Sequence, residues 1–254
     1  MLKFKGAIFD VDDTILDNKH DKVGNSLHER SRIQAVHVVG REENLPLLSS
    51  VTEQESLDAF LTASDHSTVA TVWNMLRMKN LVAGDLVEED NDLMRKIIRL
   101  KNELHEKLLI EEGEEVPGAV AFIEALAANG LEGKLAVASS AIRHEINVFF
   151  GKTGLDKHFP SEKIKSKEDV RHTKPHPEVF NMAFATLELT EDDRHLVIVF
   201  EDDPRGIMAG VAAGLKVCAI TTRFDKQFLQ KLEVPPHFII ENFSEAYKIV
   251  GIDR

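Results

Sequence analysis

The stretch Phe9-Asp10-Val11-Asp12-Asp13-Thr14 decides the fold that this sequence predicts. It begins where the apolar run 7–9 ends, so the chain changes from apolar to acidic within one residue. A continuous apolar run of this kind is typical of a strand that is buried on both faces of a parallel sheet. Similar runs occur at four later places in the chain: 135–138, 196–200, 217–220 and 238–240.

Helical patterns separate these apolar runs. Residues 119–129 carry apolar residues at helical spacing, and Gly130 follows as a stop signal. Residues 204–213 begin with a proline and end before Gly214, which is the asymmetry expected of a helix. The alternation of strands and helices predicts an α/β fold with a Rossmann-like, doubly wound parallel sheet.

Residues 17–116 follow a different pattern. They contain no comparable strand run apart from a weak one at 36–39. Apolar residues recur at helical spacing in three stretches there: 56–61, 69–78 and 93–109. We therefore expect a helical cap domain at 17–116, inserted after the first strand, and an α/β catalytic core formed by 1–16 and 117–254.

The composition limits the class of protein. The chain has 254 residues with 31 Lys+Arg and 43 Asp+Glu, which gives a formal net charge of −12 at pH 7. This acidic balance argues against a nucleic-acid-binding protein that works by neutralising phosphates. The hydrophobic fraction of 43 % is ordinary for a soluble globular protein.

The sequence also indicates a compartment. Cys218 is the single cysteine, so we expect no intrachain disulfide and a reducing environment. Asp10 ends the first apolar run, so we expect no signal peptide. The longest uncharged apolar stretch, 206–215, has 10 residues and is too short to span a membrane. We expect a cytoplasmic monomer or small homo-oligomer that binds neither membranes nor nucleic acids.

Polar side chains follow three of the predicted strands. In chain order they are Asp10, Asp12, Asp13, Ser139, Ser140, Glu201, Asp202 and Asp203, with Lys174 between the serines and the last three acids. Ligands of open parallel sheets bind at the carboxyl ends of the strands. We therefore expect these side chains to converge at one edge of the sheet.

The six carboxylates in this set need a compensating charge. Two like charges about 4 Å apart repel by roughly 4 kcal/mol at an effective dielectric constant of 20. An all-oxygen ligand set suits a hard cation, which we expect to be Mg²⁺. With the positive charge of Lys174 and the hydroxyl of Ser139, the pattern predicts a phosphoryl-transfer site. For Asp202 or Asp203 taken alone, a cap of the helix that begins at Pro204 would be the better explanation, but capping does not explain the combination.

The same segments resemble the motifs of the haloacid dehalogenase-like superfamily. Residues 9–14 are similar to its Asp-x-Asp-x-Thr signature, and residues 138–140 to its hydroxyl motif. Residues 174–177 are similar to its lysine motif and residues 201–206 to its acidic motif. All four occur in the family's order, and the last resembles most the β-phosphoglucomutase-like branch. The resemblance implies a phosphotransferase whose cap follows the first motif.

The resemblance also implies a role for each motif residue. Asp10 would be the nucleophile that forms an aspartyl-phosphate. Asp12 would protonate the leaving oxygen and then deprotonate the attacking water. The Ser139 hydroxyl, the Ser140 amide and the Lys174 ammonium group would bind the phosphate.

The metal site is implied in the same way. Its Mg²⁺ ligands would be the Asp10 carboxylate, the backbone carbonyl of Asp12 and the Asp202 carboxylate. Glu201 would join them directly or through water. Asp203 is a departure, because the branch often has serine there, and it makes the surroundings of the metal more acidic.

The cap departs from the mutases of this branch. Residues 50–57 resemble a box in which those enzymes carry an arginine that holds the second phosphate of the substrate. Glu53 occupies that position here, and an acid cannot hold a phosphate, although Arg41 could serve instead. We therefore expect a phosphatase that acts on a small phosphorylated metabolite, with a phosphomutase as the alternative.

Other classes of protein fit the sequence less well. A non-catalytic phospho-receiver module also uses strand-end acids, Mg²⁺, a hydroxyl and a lysine, but it is smaller and needs no helical insert. A dehalogenase or a phosphonate hydrolase is disfavoured, because in the family an acid at the position of Asp12 accompanies phosphate-ester chemistry.

Some reactive residues have simpler explanations. His172 and His176 are four residues apart, but Pro175 and Pro177 make a helix through both improbable. We therefore expect loop or surface histidines. Cys218 lies in an apolar run and is expected to be a small buried hydrophobic residue rather than a nucleophile.

Overall fold

The computed structural model describes residues 2–19, 25–63, 67–84, 86–88 and 90–253. The chain divides into two compact units. One, the α/β unit, comprises Met1–Asp17 and Glu114–Arg254, and the other, the helical unit, comprises Asn18–Gly113. The domain boundaries predicted after residues 16 and 116 lie one and three residues from these divisions.

The strands belong to the α/β unit. They are β1 (Gly6–Phe9), β2 (Leu16–Asp17), β3 (Glu114–Glu115), β4 (Leu135–Ala138), β5 (Ile164–Lys165), β6 (Val197–Glu201), β7 (Lys216–Ile220) and β8 (Phe238–Ile240). Within the described residues, six of them form a parallel sheet in the order β5-β4-β1-β6-β7-β8. The short strands β2 and β3 pair with each other in antiparallel fashion.

This strand order confirms the predicted fold class. Counted along the chain within the six-stranded sheet, the order is that of a doubly wound Rossmann-like fold. All residues of β1, β4 and β6 are buried, as the continuous apolar runs predicted. Strand β5 was not predicted, because two residues are too few to form a recognisable pattern.

The helices cover both units. They are α1 (Leu27–Glu42), α2 (Pro46–Ser49), α3 (Glu53–Leu61), α4 (Thr68–Met78), α5 (Asp92–Glu112), α6 (Ala119–Leu126), α7 (Arg143–Thr153), α8 (Glu178–Ala185), α9 (Pro204–Ala212), α10 (Lys226–Gln230) and α11 (Phe243–Val250). No helix in the described part of the chain is both long and apolar enough to cross a membrane.

The weak strand predicted at 36–39 is wrong. These residues lie within α1, which belongs to the helical unit. Val36 and Val39 are buried three residues apart, as on one face of a helix, and pack into a core that contains Trp73 and Ile97. Burial against neighbouring helices therefore outweighs the β preference of the valines.

The register of the sheet positions the first acidic motif. Phe9 pairs with Val137 on one side and with Phe200 on the other. The N–H of Asp10 donates to the carbonyl oxygen of Phe200 at 3.0 Å. Asp10 therefore lies between the carboxyl ends of β4 and β6, where Ser139 and the acidic motif begin.

Candidate active site

A buried ion-pair triad occupies this edge of the sheet. The Nζ atom of Lys174 lies 2.6 Å from Oδ1 of Asp10 and 2.7 Å from Oε1 of Glu201. The side chains of all three residues are less than a tenth exposed. The Lys174 ammonium group also lies 5.0 Å from the centre of the Phe180 ring, which favours a positive charge there. Residues from three distant parts of the sequence thus meet at one point.

Glu201 links the triad to the acidic motif. Its second oxygen, Oε2, accepts the N–H groups of Asp202 and Asp203, each at 2.8 Å. A Cβ atom at Gly206 would overlap the Glu201 carboxylate, so glycine at that position leaves the room this carboxylate needs. Both oxygens of Glu201 therefore already accept hydrogen bonds from the protein.

Asp202 presents an oxygen that is suited to a cation. Its Oδ1 atom accepts a hydrogen bond from the hydroxyl of Thr14 at 3.1 Å. Its Oδ2 atom is buried and has no hydrogen-bond partner among the described residues, although the Arg223 guanidinium lies 3.8 Å away. A buried carboxylate oxygen left in this state is costly unless a cation or a proton binds it.

The donor set fits Mg²⁺. One carboxylate oxygen from each of Asp10, Glu201 and Asp202 lies within 4.8 Å of the others, and all three residues are buried. Carboxylate oxygens are the ligands that hard cations such as Mg²⁺ prefer. The unpartnered oxygen of Asp202 and the concentration of negative charge agree with this choice.

The pKa values reflect the same arrangement. Burial raises the pKa of Asp10 well above its usual range, and the positive charge of Lys174 opposes this effect. Burial and the charge of Glu201 raise the pKa of Asp202 well above its usual range. Burial works against the charged form of Lys174, yet the carboxylates of Asp10 and Glu201 outweigh it and raise the lysine pKa. Lys174 therefore remains protonated.

The remaining motif residues lie around this centre. Asp12 is partly buried, and its negative charge adds to the rise in the pKa of Asp10. Ser139 is buried at the end of β4, where its Oγ accepts the N–H of Ala141 at 3.1 Å. Ser140 is exposed.

Asp203 has the structural role that the sequence left open. It is the N-cap of α9, and its Oδ1 atom accepts the N–H of Arg205 at 2.9 Å. Burial works against ionisation of Asp203, but the charges of Arg205 and Arg223 and the hydrogen bond from Arg205 lower its pKa. Of the two acids before Pro204, Asp203 caps the helix, and Asp202 lies close enough to Glu201 and Asp10 to interact with their charges.

Two contributors to the site were missed in the sequence. The guanidinium of Arg223 lies 3.2 Å from Oδ2 of Asp203 and 3.7 Å from Oδ2 of Asp13. The hydroxyl of Thr222 donates to the carbonyl oxygen of Asp13 at 2.5 Å. Both residues follow β7 closely, so the same strand-end argument could have found them.

The helical unit has a cavity of its own. Its volume is about 260 Å³, and its lining residues are Arg30, Ile33, Gln34, His37, Arg41 and Glu53. Arg30 is engaged by Glu112 through two hydrogen bonds of 2.5 and 2.7 Å. Glu53, which occupies the position where the mutases carry an arginine, and Arg41, the arginine that could serve instead, line the same cavity.

Comparison with known proteins identifies the family. A sequence profile of haloacid dehalogenase-like hydrolases matches residues 7–220. The chain belongs to this family, and the resemblance inferred from the four motifs is confirmed.

Two curated relatives illustrate the match. Glycerol-1-phosphate phosphohydrolase 2 of Saccharomyces cerevisiae is 38 % identical over 137 residues, which cover 51 % of this chain and 53 % of that protein. Pyrophosphatase PpaX of Anoxybacillus flavithermus is 31 % identical over 162 residues, covering 63 % and 70 %. The match to the yeast protein thus spans about half of its length.

The structural comparison supports the fold. The crystal structure of a HAD hydrolase, family IA, variant 3 from Entamoeba histolytica HM-1:IMSS has a TM-score of 0.72 at 20 % identity and covers 95 % of this chain and 94 % of that one. Solved structures of β-phosphoglucomutase-like proteins share the fold as well. At this level of identity, the likeness concerns the fold alone.

Proposed function

We propose that this protein is a Mg²⁺-dependent phosphatase that hydrolyses a small phosphorylated metabolite through an aspartyl-phosphate. The observation that carries the proposal is the buried contact of Lys174 with Asp10 and Glu201 beside the unpartnered oxygen of Asp202. A buried carboxylate next to a lysine and to an acidic cluster able to hold a cation suits covalent phosphoryl transfer. The phosphatase relatives support the same chemistry.

Asp10 and Asp12 carry the bond changes in this proposal. A carboxylate oxygen of Asp10 attacks phosphorus, and the bond from phosphorus to the ester oxygen breaks while Asp12 donates a proton to that oxygen. Asp12, now ionised, takes a proton from water, which attacks the phosphorus of the aspartyl-phosphate. The second step releases inorganic phosphate and restores both carboxyl groups.

The other residues bind and orient the phosphate. Lys174 favours the ionised form of Asp10 and would offset the charge of the incoming phosphate. The hydroxyl of Ser139 and the amide of Ser140 are proposed to donate hydrogen bonds to phosphate oxygens. Both follow β4, the strand that pairs with β1, so they lie near the same sheet edge as Asp10.

The proposed Mg²⁺ ligands are Asp10, the backbone carbonyl of Asp12, Asp202 and, directly or through water, Glu201. Bound Mg²⁺ would neutralise the clustered carboxylates and the phosphate oxygens. Glu201 would at the same time hold Lys174 and the amide of Asp202, because both of its oxygens accept hydrogen bonds.

The test is a screen of phosphorylated metabolites that measures inorganic phosphate with Mg²⁺ and with a chelator. Glycerol phosphates are a natural first group, because relatives from yeast are named glycerol-1-phosphate phosphohydrolases. We expect release of phosphate from at least one monoester in Mg²⁺ and its loss on chelation. Release that continues unchanged in the chelator would contradict the proposal.

A phosphomutase is the second candidate. The observation in its favour is the Arg41 guanidinium on the cavity of the helical unit, a group able to bind a second phosphate. Glu53 on the same cavity opposes an anion, which is why we rank the phosphatase first. Incubation with a hexose 1-phosphate separates the two, because a mutase forms the 6-phosphate and a phosphatase releases inorganic phosphate.

We also propose a cytoplasmic location. The single cysteine is buried and free, which suits a reducing compartment. Burial raises the pKa of the Cys218 thiol, so a role as a thiolate nucleophile is disfavoured.

A further inference from the structure

A second group of metal-binding side chains lies outside the acidic site. His172, His176 and Glu178 each offer one ligand atom within 4.8 Å of the others. The rings of the two histidines lie 4.6 Å apart, although no helix joins them. Both imidazoles are more than half exposed, so an ion from solution could reach them directly.

The distances suit a small metal ion. Oε2 of Glu178 lies 2.9 Å from Nδ1 of His172 and 3.8 Å from Nδ1 of His176. Two ligands bound to Zn²⁺ in tetrahedral geometry at 2.0–2.1 Å are about 3.4 Å from each other. The two distances lie on either side of this value, and all three ligand atoms lie within 4.8 Å of one another, so adjustments of about 1 Å would bring them to the spacing that one ion needs.

The carboxylate is held in place without a metal. Glu178 is the first residue of α8, and its two oxygens accept the N–H groups of Arg171 and His172, each at 3.0 Å. The backbone hydrogen bond from Arg171, followed by the hydrogen bond from the His172 ring, lowers the pKa of Glu178 to about 2. The group is therefore charged and oriented before any ion arrives, which lowers the entropic cost of binding.

The simpler explanation is a capping interaction. A glutamate that accepts N–H groups before its own helix and pairs with a histidine would stabilise this loop without any metal. That explanation accounts for Glu178 and His172. It also includes His176, whose Nδ1 accepts the N–H of Glu178 at 3.3 Å. Capping alone does not require both imidazoles to approach one carboxylate, with their rings 4.6 Å apart.

We propose that His172, His176 and Glu178 form a second metal site, which takes Zn²⁺ or a similar imidazole-binding ion rather than Mg²⁺. Two imidazoles and a carboxylate match the ligand preferences of Zn²⁺, whereas Mg²⁺ favours oxygen donors. The acidic site and this one therefore differ in the ion that they select. The site spans Lys174, whose ammonium group points to Asp10 and Glu201, so an ion bound here would fix the loop that carries this lysine.

The test is Zn²⁺ binding by the untagged protein in saturating Mg²⁺, measured by competition with a chromophoric chelator. Loss of outer-sphere partners of a metal site costs 10–100-fold in affinity, so replacing a direct ligand by glutamine should cost at least about tenfold. We expect this loss in His172→Gln and in His176→Gln. The matched control is His195→Gln, which changes an exposed histidine outside the group and should bind Zn²⁺ as the parent protein does.

The Asp202→Asn variant separates the two sites. If the proposal holds, it retains the Zn²⁺ affinity that the histidine variants lose. If both histidine variants retain Zn²⁺ binding and Asp202→Asn loses it, the ion binds at the acidic site and the proposal is overturned. The proposal is also overturned if the parent protein binds no Zn²⁺. Histidine ring NMR signals of the parent protein give a second measurement, in which Zn²⁺ should shift two histidines. None of these readouts depends on phosphatase activity, so either proposal can fail alone.

Discussion

At Asp10, burial and charge act on ionisation in opposite directions. Burial raises the pKa of this carboxyl group, the negative charges of Glu201 and Asp12 add to the rise, and the Lys174 ammonium group opposes it. A carboxyl group attacks phosphorus only when ionised. Lys174 is therefore the group that favours the reactive, ionised form of Asp10 in the proposed mechanism.

Replacement of Lys174 tests this role. In Lys174→Met the pKa of Asp10 should rise further, so Asp10 should ionise at higher pH. The acidic limb of the pH–rate profile should move to higher pH with it. Loss of one charged group at the phosphate should also lower kcat/KM by about 100- to 1,000-fold. The profile is measured by phosphate release, with Lys152→Met on the exposed face of α7 as the control. An unshifted acidic limb would contradict this role.

The site was only partly predictable at the scale of single residues. The sequence placed Asp10, Glu201 and Asp202 at strand ends and Lys174 in the segment between two of the strands, and the structure brings the four together. It could not decide which acid caps α9, because Asp202 and Asp203 both precede Pro204 and only the backbone geometry separates them. Arg223 follows β7 closely, which is a strand-end signal, but it was missed because it belongs to none of the four motifs.

At the scale of elements, buried strands were easier to recognise than helices. The runs that became β1, β4 and β6 are apolar throughout, because both faces of those strands are covered. Helix α1 was missed, because polar or charged residues such as Glu29, Ser31 and Arg32 occupy some of its buried positions and its valines favour a strand by composition. Its helical state depends on packing within the helical unit, which the sequence pattern does not show.

The close approach of Gly206, in helix α9, to the Glu201 carboxylate leads to a specific prediction. A methyl group there would overlap the Glu201 carboxylate, so Gly206→Ala should displace that carboxylate and disturb its contact with Lys174. We expect a stability loss of about 1–3 kcal/mol, as is usual for overpacking, together with a fall in activity. Thermal unfolding and phosphate release measure the two effects.

The matched control is Gly151→Ala in α7. A Cβ at Gly151 meets no atom within 4 Å, so the same change should stabilise the protein by roughly 0.5–1 kcal/mol through helix propensity. If both variants behave alike, the close approach at Gly206 is not the cause of its effect.

At the scale of the whole molecule, the proposed metal site would link metal binding to stability. A ligand that binds only the native state adds about 2.7 kcal/mol when present at 100 times its dissociation constant. We therefore expect Mg²⁺ to raise the Tm and a chelator to reverse the rise.

The Asp202→Asn variant should lose this response to Mg²⁺. Without metal, it should be more stable than the parent protein near neutral pH by about 1–3 kcal/mol. The reason is that a neutral amide replaces a carboxyl group whose ionisation is opposed by burial and by the charges of Glu201, Asp13 and Asp10. Differential scanning calorimetry with Mg²⁺ and with a chelator measures both effects. A Mg²⁺-induced rise in Tm equal to that of the parent protein would show that the ion binds elsewhere.

The identity of the residue that accepts the phosphoryl group tests the account most directly. Rapid acid quenching of the protein during turnover in Mg²⁺, followed by mass spectrometry of its peptides, should find a phosphoryl group on Asp10 and none in Asp10→Asn, which should release no phosphate. A phosphoryl group on another residue, or phosphate release that persists in Asp10→Asn, would contradict it.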